Sequence, residues 1–323
     1  MNKAGTDMKM KAARSRTIAA IFAAIIGACV VAGPHDAVAQ QLFRTPEGAV
    51  EAFVAAVRSE KPEQIVSVIG RDGRQIAQSG DAVADAKVRT AFLVAYDQQH
   101  KLVADGSDKF ILNIGNNDWP LPIPLVKRRG YWQFDSIVGR EEVLARRIGR
   151  NELDAIQVCL AYVDAQNEYA SINPEKSPDP AYAMRFNSRR GKKDGLFWAP
   201  EAGDAKSPLG DAMAKATQEG YRFGGSPIPY HGYYYKILTG QGATAPGGEM
   251  DYVVKGRMIG GFALVAYPAE YGNSGVMTFL VNHAGVVFQK DLGPRTSRIA
   301  GRISLFNPDR TWKRVPDTDL TAK

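Results

Sequence analysis

The sequence predicts an α+β fold: N-terminal helices with a small antiparallel sheet, then a long connecting helix packed on a C-terminal antiparallel sheet. Apolar residues recur at helical spacing between Thr45 and Gln98, and again between Arg140 and Ala170. Short apolar or alternating blocks bounded by Gly, Asn or Pro occupy 109–138 and 233–292 instead. Runs of helix followed by runs of strand favour segregated layers over a parallel βαβ sheet.

The first 39 residues read as a signal peptide. Lys3, Lys9, Lys11, Arg14 and Arg16 form a basic leader, an uncharged run follows from Thr17 to Val31, and Ala37-Val38-Ala39 offers a small-residue processing site. Cleavage between Ala39 and Gln40 is expected, giving a secreted, periplasmic protein. A spanning helix would need about 20 apolar residues. This run is shorter and meets Gly33-Pro34, and no later run is long enough, so no stable membrane span is expected. The alternative is a lipoprotein, because Ile26-Gly27-Ala28-Cys29 resembles a lipobox with Cys29 as the lipidated residue. Removing the segment takes away five Lys or Arg and two Asp or Glu, lowering the formal charge from +7 to +4. Such mild basicity argues against nucleic acid as a partner. Cys159 is then the single cysteine, which excludes an internal disulfide framework.

Two domains are expected after the signal, 40–139 and 140–323. In the first, Thr45 caps a helix that begins with Pro46 and repeats Val50, Phe53, Val54 and Val57 on one face. A short helix runs from Pro62 to Gly70, and "GDAVADAKVRTAFLVAYDQQH" makes a third. The period then changes, and "KFILNIG", "LPIPLVKRRG" and "YWQFDSIV" predict strands. Pro120, Pro122 and Pro124 cannot donate ladder hydrogen bonds, so their strand lies at an edge or is irregular.

The second domain opens with a helix from Arg140 to about Ala170, interrupted near Gly149. Leu153, Ile156, Leu160, Val163 and Ala170 form its buried stripe, with Cys159 at the edge. Residues 171–228 are a long irregular stretch with one short helix in "SPLGDAMAKATQEG". "YYYKILTG", "DYVVKG", "GFALVAYP", "GVMTFLVN" and "GVVFQKDL" predict a strand meander, the last two joined as a hairpin at Asn282-His283-Ala284-Gly285.

"NDWPLPIPLVK", "GREEVLARRIGRNELDAIQVCLAYVDAQNEYA", "GYYYKILTGQG", "GFALVAYPAEYG" and "GVMTFLVNHAGVVFQKDLG" together resemble domain-of-unknown-function family 2950, a set of exported bacterial proteins, from about Thr45 to Arg314. The resemblance implies a cell-envelope protein and brings no catalytic residue with it. The helix ending "AYVDAQNEYA" before glycine-punctuated strands is similar in architecture to the globular part of type IV pilin-like proteins. The pilin processing site is missing, so assembly into a pilus is not implied. The first domain's element order resembles cone-shaped nuclear-transport-factor-2-like domains.

The chemistry candidates mostly reduce to packing. A reactive cysteine needs a lowered pKa and access to solvent. Cys159 lies inside a helix between Val158 and Leu160, so it is expected to be core. Gly272-Asn273-Ser274-Gly275 superficially matches the nucleophile loop of chymotrypsin-like proteases, but Gly, Asn and Ser between two strands are turn formers. His100, His231 and His283 have no ligand spacing to one another, so no metal and no cofactor is expected. Two features fit binding, though the first also suits a strand half buried on each side and the second a solvated loop. Tyr230, Tyr233 and Tyr235 cluster in "PYHGYYYKIL", with Tyr233 and Tyr235 on one face of a strand. In "MRFNSRRGKKDGLFW", Arg189 and Arg190 stand in a basic loop near Trp198. The expected function is a non-enzymatic binding or interaction module of the envelope, with an envelope protein or glycan as partner. The alternative is a hydrolase of an envelope polymer using Glu/Asp acid-base chemistry from the 141–168 region.

Overall fold

A computed structural model describes residues 40–199, 205–222, 227–316 and 319. The signal-peptide and Cys29 readings, and parts of the 171–228 stretch, lie outside the described residues.

The N-terminal half contains α1 (Pro46–Arg58), α2 (Pro62–Ile69), a 3₁₀ turn (Arg71–Gly73), α3 (Arg74–Ala77) and α4 (Ala82–Gln98). Thr45 caps α1 by accepting from the Gly48 N–H at 3.1 Å, and Val50, Phe53, Val54 and Val57 are buried, as the spacing predicts. The sheet consists of β1 (His100–Ala104), β2 (Lys109–Ile114), β3 (Trp119–Pro120), β4 (Leu125–Arg128) and β5 (Tyr131–Phe134). All its pairings are antiparallel, in the order β1-β2-β4-β5, with β3 also on β2. The proline segment is thus irregular: Pro120 lies in β3, which pairs with β2 alone, and Pro122 and Pro124 lie in a break between β3 and β4 where Leu121 still donates to the Leu112 carbonyl at 2.8 Å. The apolar side chains of α1, α2 and the sheet form one core cluster that includes Phe53, Ile69, Leu112, Leu125 and Phe134.

Two boundaries differ from expectation. The third helix ends before His100, and residues 100–104 pair with β2 across a turn. The segment "YWQFDSIV" is strand only to Phe134. Asp135 then accepts from the Val138 N–H, and Ser136 donates to the buried Ile69 carbonyl at 2.6 Å, so the helix begins there. Side-chain capping at Asp-Ser outweighs the β-propensity of the residues after it.

That helix, α5 (Ser136–Ile172), is continuous over 37 residues, so the break expected at Gly149 is absent. A mid-helix glycine costs about 1 kcal/mol, and α5 packs against the 3₁₀ turn and α3 at one end and the C-terminal sheet at the other. Anchorage on both sides of Gly149 outweighs its propensity. Gly139, by contrast, is there for space: a Cβ would lie 2.7 Å from the Pro122 carbonyl and 2.9 Å from the Ile123 Cα.

The C-terminal half contains α6 (Gly210–Gln218), β6 (Tyr233–Leu238), β7 (Gly240–Gln241), β8 (Met250–Asp251), β9 (Val253–Val254), β10 (Arg257–Met258), β11 (Ala263–Pro268), β12 (Met277–Asn282), β13 (Phe288–Asp291), α7 (Thr296–Arg302) and β14 (Lys313–Arg314). Its main sheet is antiparallel in the order β14-β13-β12-β11-β6. "DYVVKG" does not join it. Lys255 and Gly256 both take positive φ, which closes a tight β9–β10 hairpin off the sheet.

The second core cluster lies between this sheet and the later half of α5. Its helical face is centred on Ala155, Cys159, Tyr162, Gln166 and Tyr169, while Leu153 and Leu160 are only half buried. The face is rotated because polar side chains are satisfied inside. Gln166 accepts from the Ala183 N–H and donates to the Ala183 carbonyl, both at 2.8 Å, and also donates to the Tyr162 hydroxyl.

Candidate functional site

α4 is 17 residues long, yet none of its side chains is buried. Asp85, Val88, Arg89, Phe92 and Ala95 recur at helical spacing; Phe92 and Ala95 touch the edge of the N-terminal core, Phe92 edge-on to Phe53 at 5.4 Å, and all five line a cavity of about 520 Å³. The opposite walls are Phe53 and Val57 of α1, Ile114 and the 121–123 segment of the sheet region, and Val143, Arg146, Arg147 and Arg150 of α5. Small-molecule sites typically span about 300–1,000 Å³ and are mostly apolar with a few polar groups. This cavity fits that description, and Trp119 stands at its edge with the Arg146 guanidinium 5.9 Å from the ring centroid.

The polar part is asymmetric. Arg147 donates to the carbonyls of Gln75 at 2.6 Å and Ile76 at 3.0 Å, and to Asn273 Oδ1 at 2.6 Å. Burial lowers its pKa, and Asp85 opposes that shift. Asp85 accepts from the Ser79 N–H at 3.0 and 3.2 Å. Burial pushes its carboxyl above 3.8, against the Ser79 hydrogen bonds and the charges of Arg147 and Arg89. Arg146 pairs with Glu142 on its own helix. Among the described residues, neither Arg89 nor Arg150 forms an ion pair.

α4 is tied at its start to the other half of the chain. Asp81 is 1 % exposed; its Oδ1 accepts from the N–H groups of Val83 and Ala84 at 3.1 and 3.0 Å, capping α4. Its Oδ2 accepts from the Tyr221 hydroxyl at 2.8 Å and the Gly232 N–H at 3.0 Å. Burial and then the Asp81 charge push the Tyr221 hydroxyl well above its usual range. A second junction is the loop that superficially matches a protease nucleophile. Asn273 donates to the Gln78 carbonyl at 2.9 Å, Asn151 donates to the Ser274 carbonyl at 2.9 Å, and Ser274 is fully buried, its hydroxyl bonded to the Glu270 backbone. Ser274 closes a turn and has no access to substrate.

Cys159 is fully buried, and burial alone pushes its thiol up to about 12. It is a packing residue. His231 is the histidine beside acidic groups: Nδ1 lies 3.1 Å from Asp154 Oδ2 and Nε2 lies 3.7 Å from Glu219 Oε2. No hydroxyl or thiol is hydrogen-bonded to its ring among the described residues.

The aromatic and basic binding candidates do not form one surface. Tyr233 is 0 % exposed and donates to the Met277 carbonyl at 3.0 Å, while Trp198 is 5 % exposed, edge-on to Tyr169. Both are binding candidates by sequence, and both belong to the core, because each finds a partner for its polar tip inside. Tyr235 also packs on that core, with its hydroxyl near the Tyr230 carbonyl. Tyr230 is half buried, 4.9 Å from the Tyr221 ring and 4.2 Å from His231. Arg189 is held by Asp194 at 2.6 Å, and Arg190 is exposed on the same loop. Sequence reasoning passed over the arginine-rimmed cavity. Its one signal was α4 itself, whose apolar residues leave a broad, polar-interrupted stripe; its partners lie 25 to 60 residues away in both directions.

Fold and site together define an α+β protein with two cores and an apolar, arginine-edged cavity under one helix. Residues 40–315 match the family described as "Protein of unknown function (DUF2950)", and the chain belongs to that family. No curated protein and no solved structure matches it. Among the described residues, no helix is long and apolar enough to cross a membrane.

Proposed function

We propose that this is an exported binding protein of the cell envelope, processed between Ala39 and Gln40, that takes an apolar small molecule into the cavity under α4. The observation that carries the reading is a helix with no fully buried residue, whose inner face packs only partly on the core and lines about 520 Å³ of space. Leaving that face only partly packed forfeits dispersion contacts and burial, a cost a ligand would offset. Export is supported by the basic leader, the uncharged run and the Ala37-Val38-Ala39 site. Intact mass of the protein recovered from cells tests the processing site. Binding is tested with the neutral fluorophore N-phenyl-1-naphthylamine. Saturable one-to-one enhancement, lost when Ala95→Trp fills the cavity, is the expected result; no saturable binding by the folded protein refutes the reading.

A second reading, acid-base hydrolysis of an envelope polymer, is favoured by one observation, the Asp154–His231–Glu219 arrangement. It requires product release from peptidoglycan or another envelope polymer that Asp154→Asn abolishes; absence of release by the wild-type protein removes it.

A further inference from the structure

We infer that the cavity binds a single-chain amphiphile with a carboxylate head, a molecule of the fatty-acid class, with its chain on the apolar wall and its head held by Arg89, Arg146 and Arg150. The inference rests on the ligand-binding reading above and names the ligand class of that same cavity.

The argument is one of charge complementarity. Four arginines line the cavity against a single carboxylate, Asp85. Asp85 faces the charges of both Arg147 and Arg89, and the Arg147 guanidinium is committed to Gln75, Ile76 and Asn273. One carboxylate against four guanidiniums leaves the lining with a positive excess, carried by Arg89, Arg146 and Arg150. Arg89 comes from α4, while Arg146 and Arg150 stand one turn apart on α5. Glu142 is the ion-pair partner of Arg146, on an exposed stretch of helix, and such i,i+4 pairs are weak and exchangeable. Guanidinium groups present planar forks that match a carboxylate, and their pairing strengthens beside a low-dielectric wall. Apart from Asn117 and Trp119, the rest of the lining, including Phe53, Val57, Phe92 and Ile114, is apolar, so a sugar or peptide chain lying on it would lose most of its hydration uncompensated. An apolar chain loses nothing there.

The test is displacement of N-phenyl-1-naphthylamine from the purified protein by dodecanoate, dodecanol, dodecyltrimethylammonium and dodecyl phosphate, each below its micelle threshold. The expected result is dodecanoate binding about tenfold or more tighter than dodecanol, with the cation weakest and with the preference eroded by added salt. Arg89→Gln and Arg150→Gln should each weaken dodecanoate by about three- to tenfold while leaving dodecanol unchanged, and circular dichroism should show both variants folded. Equal binding of dodecanoate and dodecanol would overturn the head-group assignment while leaving the cavity reading intact. Tighter binding of dodecyl phosphate than of dodecanoate would also overturn it, by assigning the arginines to a phosphate. Failure of dye and all four amphiphiles to bind would overturn both.

Discussion

Replacing Asp81 by Ala removes the acceptor on which α4, the Tyr221 segment and the start of β6 converge. The lost N-cap costs about 1 kcal/mol. The Tyr221 hydroxyl and the Gly232 N–H are left buried without their acceptor, at about 1–3 kcal/mol each. Relief from burying a carboxylate offsets part of this, so the net loss expected is about 3–5 kcal/mol, against a total stability on the order of 5–15 kcal/mol. Thr45→Ala is the internal control, because Thr45 caps α1 through one exposed bond to the Gly48 N–H and should cost about 1 kcal/mol. Urea unfolding followed by tryptophan fluorescence, with linear extrapolation, reads both. Asp81→Asn keeps an acceptor for Val83 and Ala84 but turns an amide N–H₂ toward Gly232, so it should fall between them. If Asp81→Ala is no more destabilising than Thr45→Ala, the three-way junction contributes nothing and the account of how α4 is held over the cavity fails.

Three further outcomes are expected. Cys159, with its thiol pushed up to about 12, should resist maleimide in the native state and label only as urea unfolds the chain; rapid native labelling would contradict its place in the core. Gly139→Ala should cost about 1–3 kcal/mol in urea unfolding because its Cβ meets backbone, whereas Gly149→Ala, with nothing within 4 Å, should stabilise α5 by up to about 1 kcal/mol. Equal effects at the two sites would refute a continuous α5 docked on the 121–124 segment. Asp85 is more easily protonated folded than unfolded, so its stabilising contribution is fully present below its ordinary pKa of 3.8 and is lost as pH rises through the elevated folded value. The stability of wild type relative to Asp85→Asn should therefore fall on raising pH through that window; a difference that rises or stays flat refutes the shift.

Much of the architecture was legible because it is local. Thr45-Pro46, the repeats of Val50, Phe53, Val54 and Val57, and the glycine-bounded strands of the meander announce their elements through spacing and capping alone. Errors came where a local signal competed with a distant one. Gly149 reads as a break until both ends of α5 are seen to be packed, and "DSIV" reads as strand until Ser136 finds the Ile69 carbonyl. The helical face around Cys159 was misplaced by one neighbouring stripe because Gln166 and Tyr162 count as polar in any periodicity, and are buried only because Ala183 and one another satisfy them.

By itself, then, the sequence determined the class of fold, the order of its main helices and strands though not of β1, α3, α7 or β14, and the burial of its lone internal cysteine, since these follow from spacing, turn chemistry and composition within a few residues. Only the tertiary structure decided where space was left unfilled and which charges were left over. Tyr233 and Trp198 went into the core, and Arg89 and Arg150 came to the edge of an apolar cavity. Whether a side chain packs, pairs or faces a void depends on partners often tens of residues away, such as Met277 for Tyr233 or Arg150 across the cavity from Arg89, and no periodicity encodes that distance.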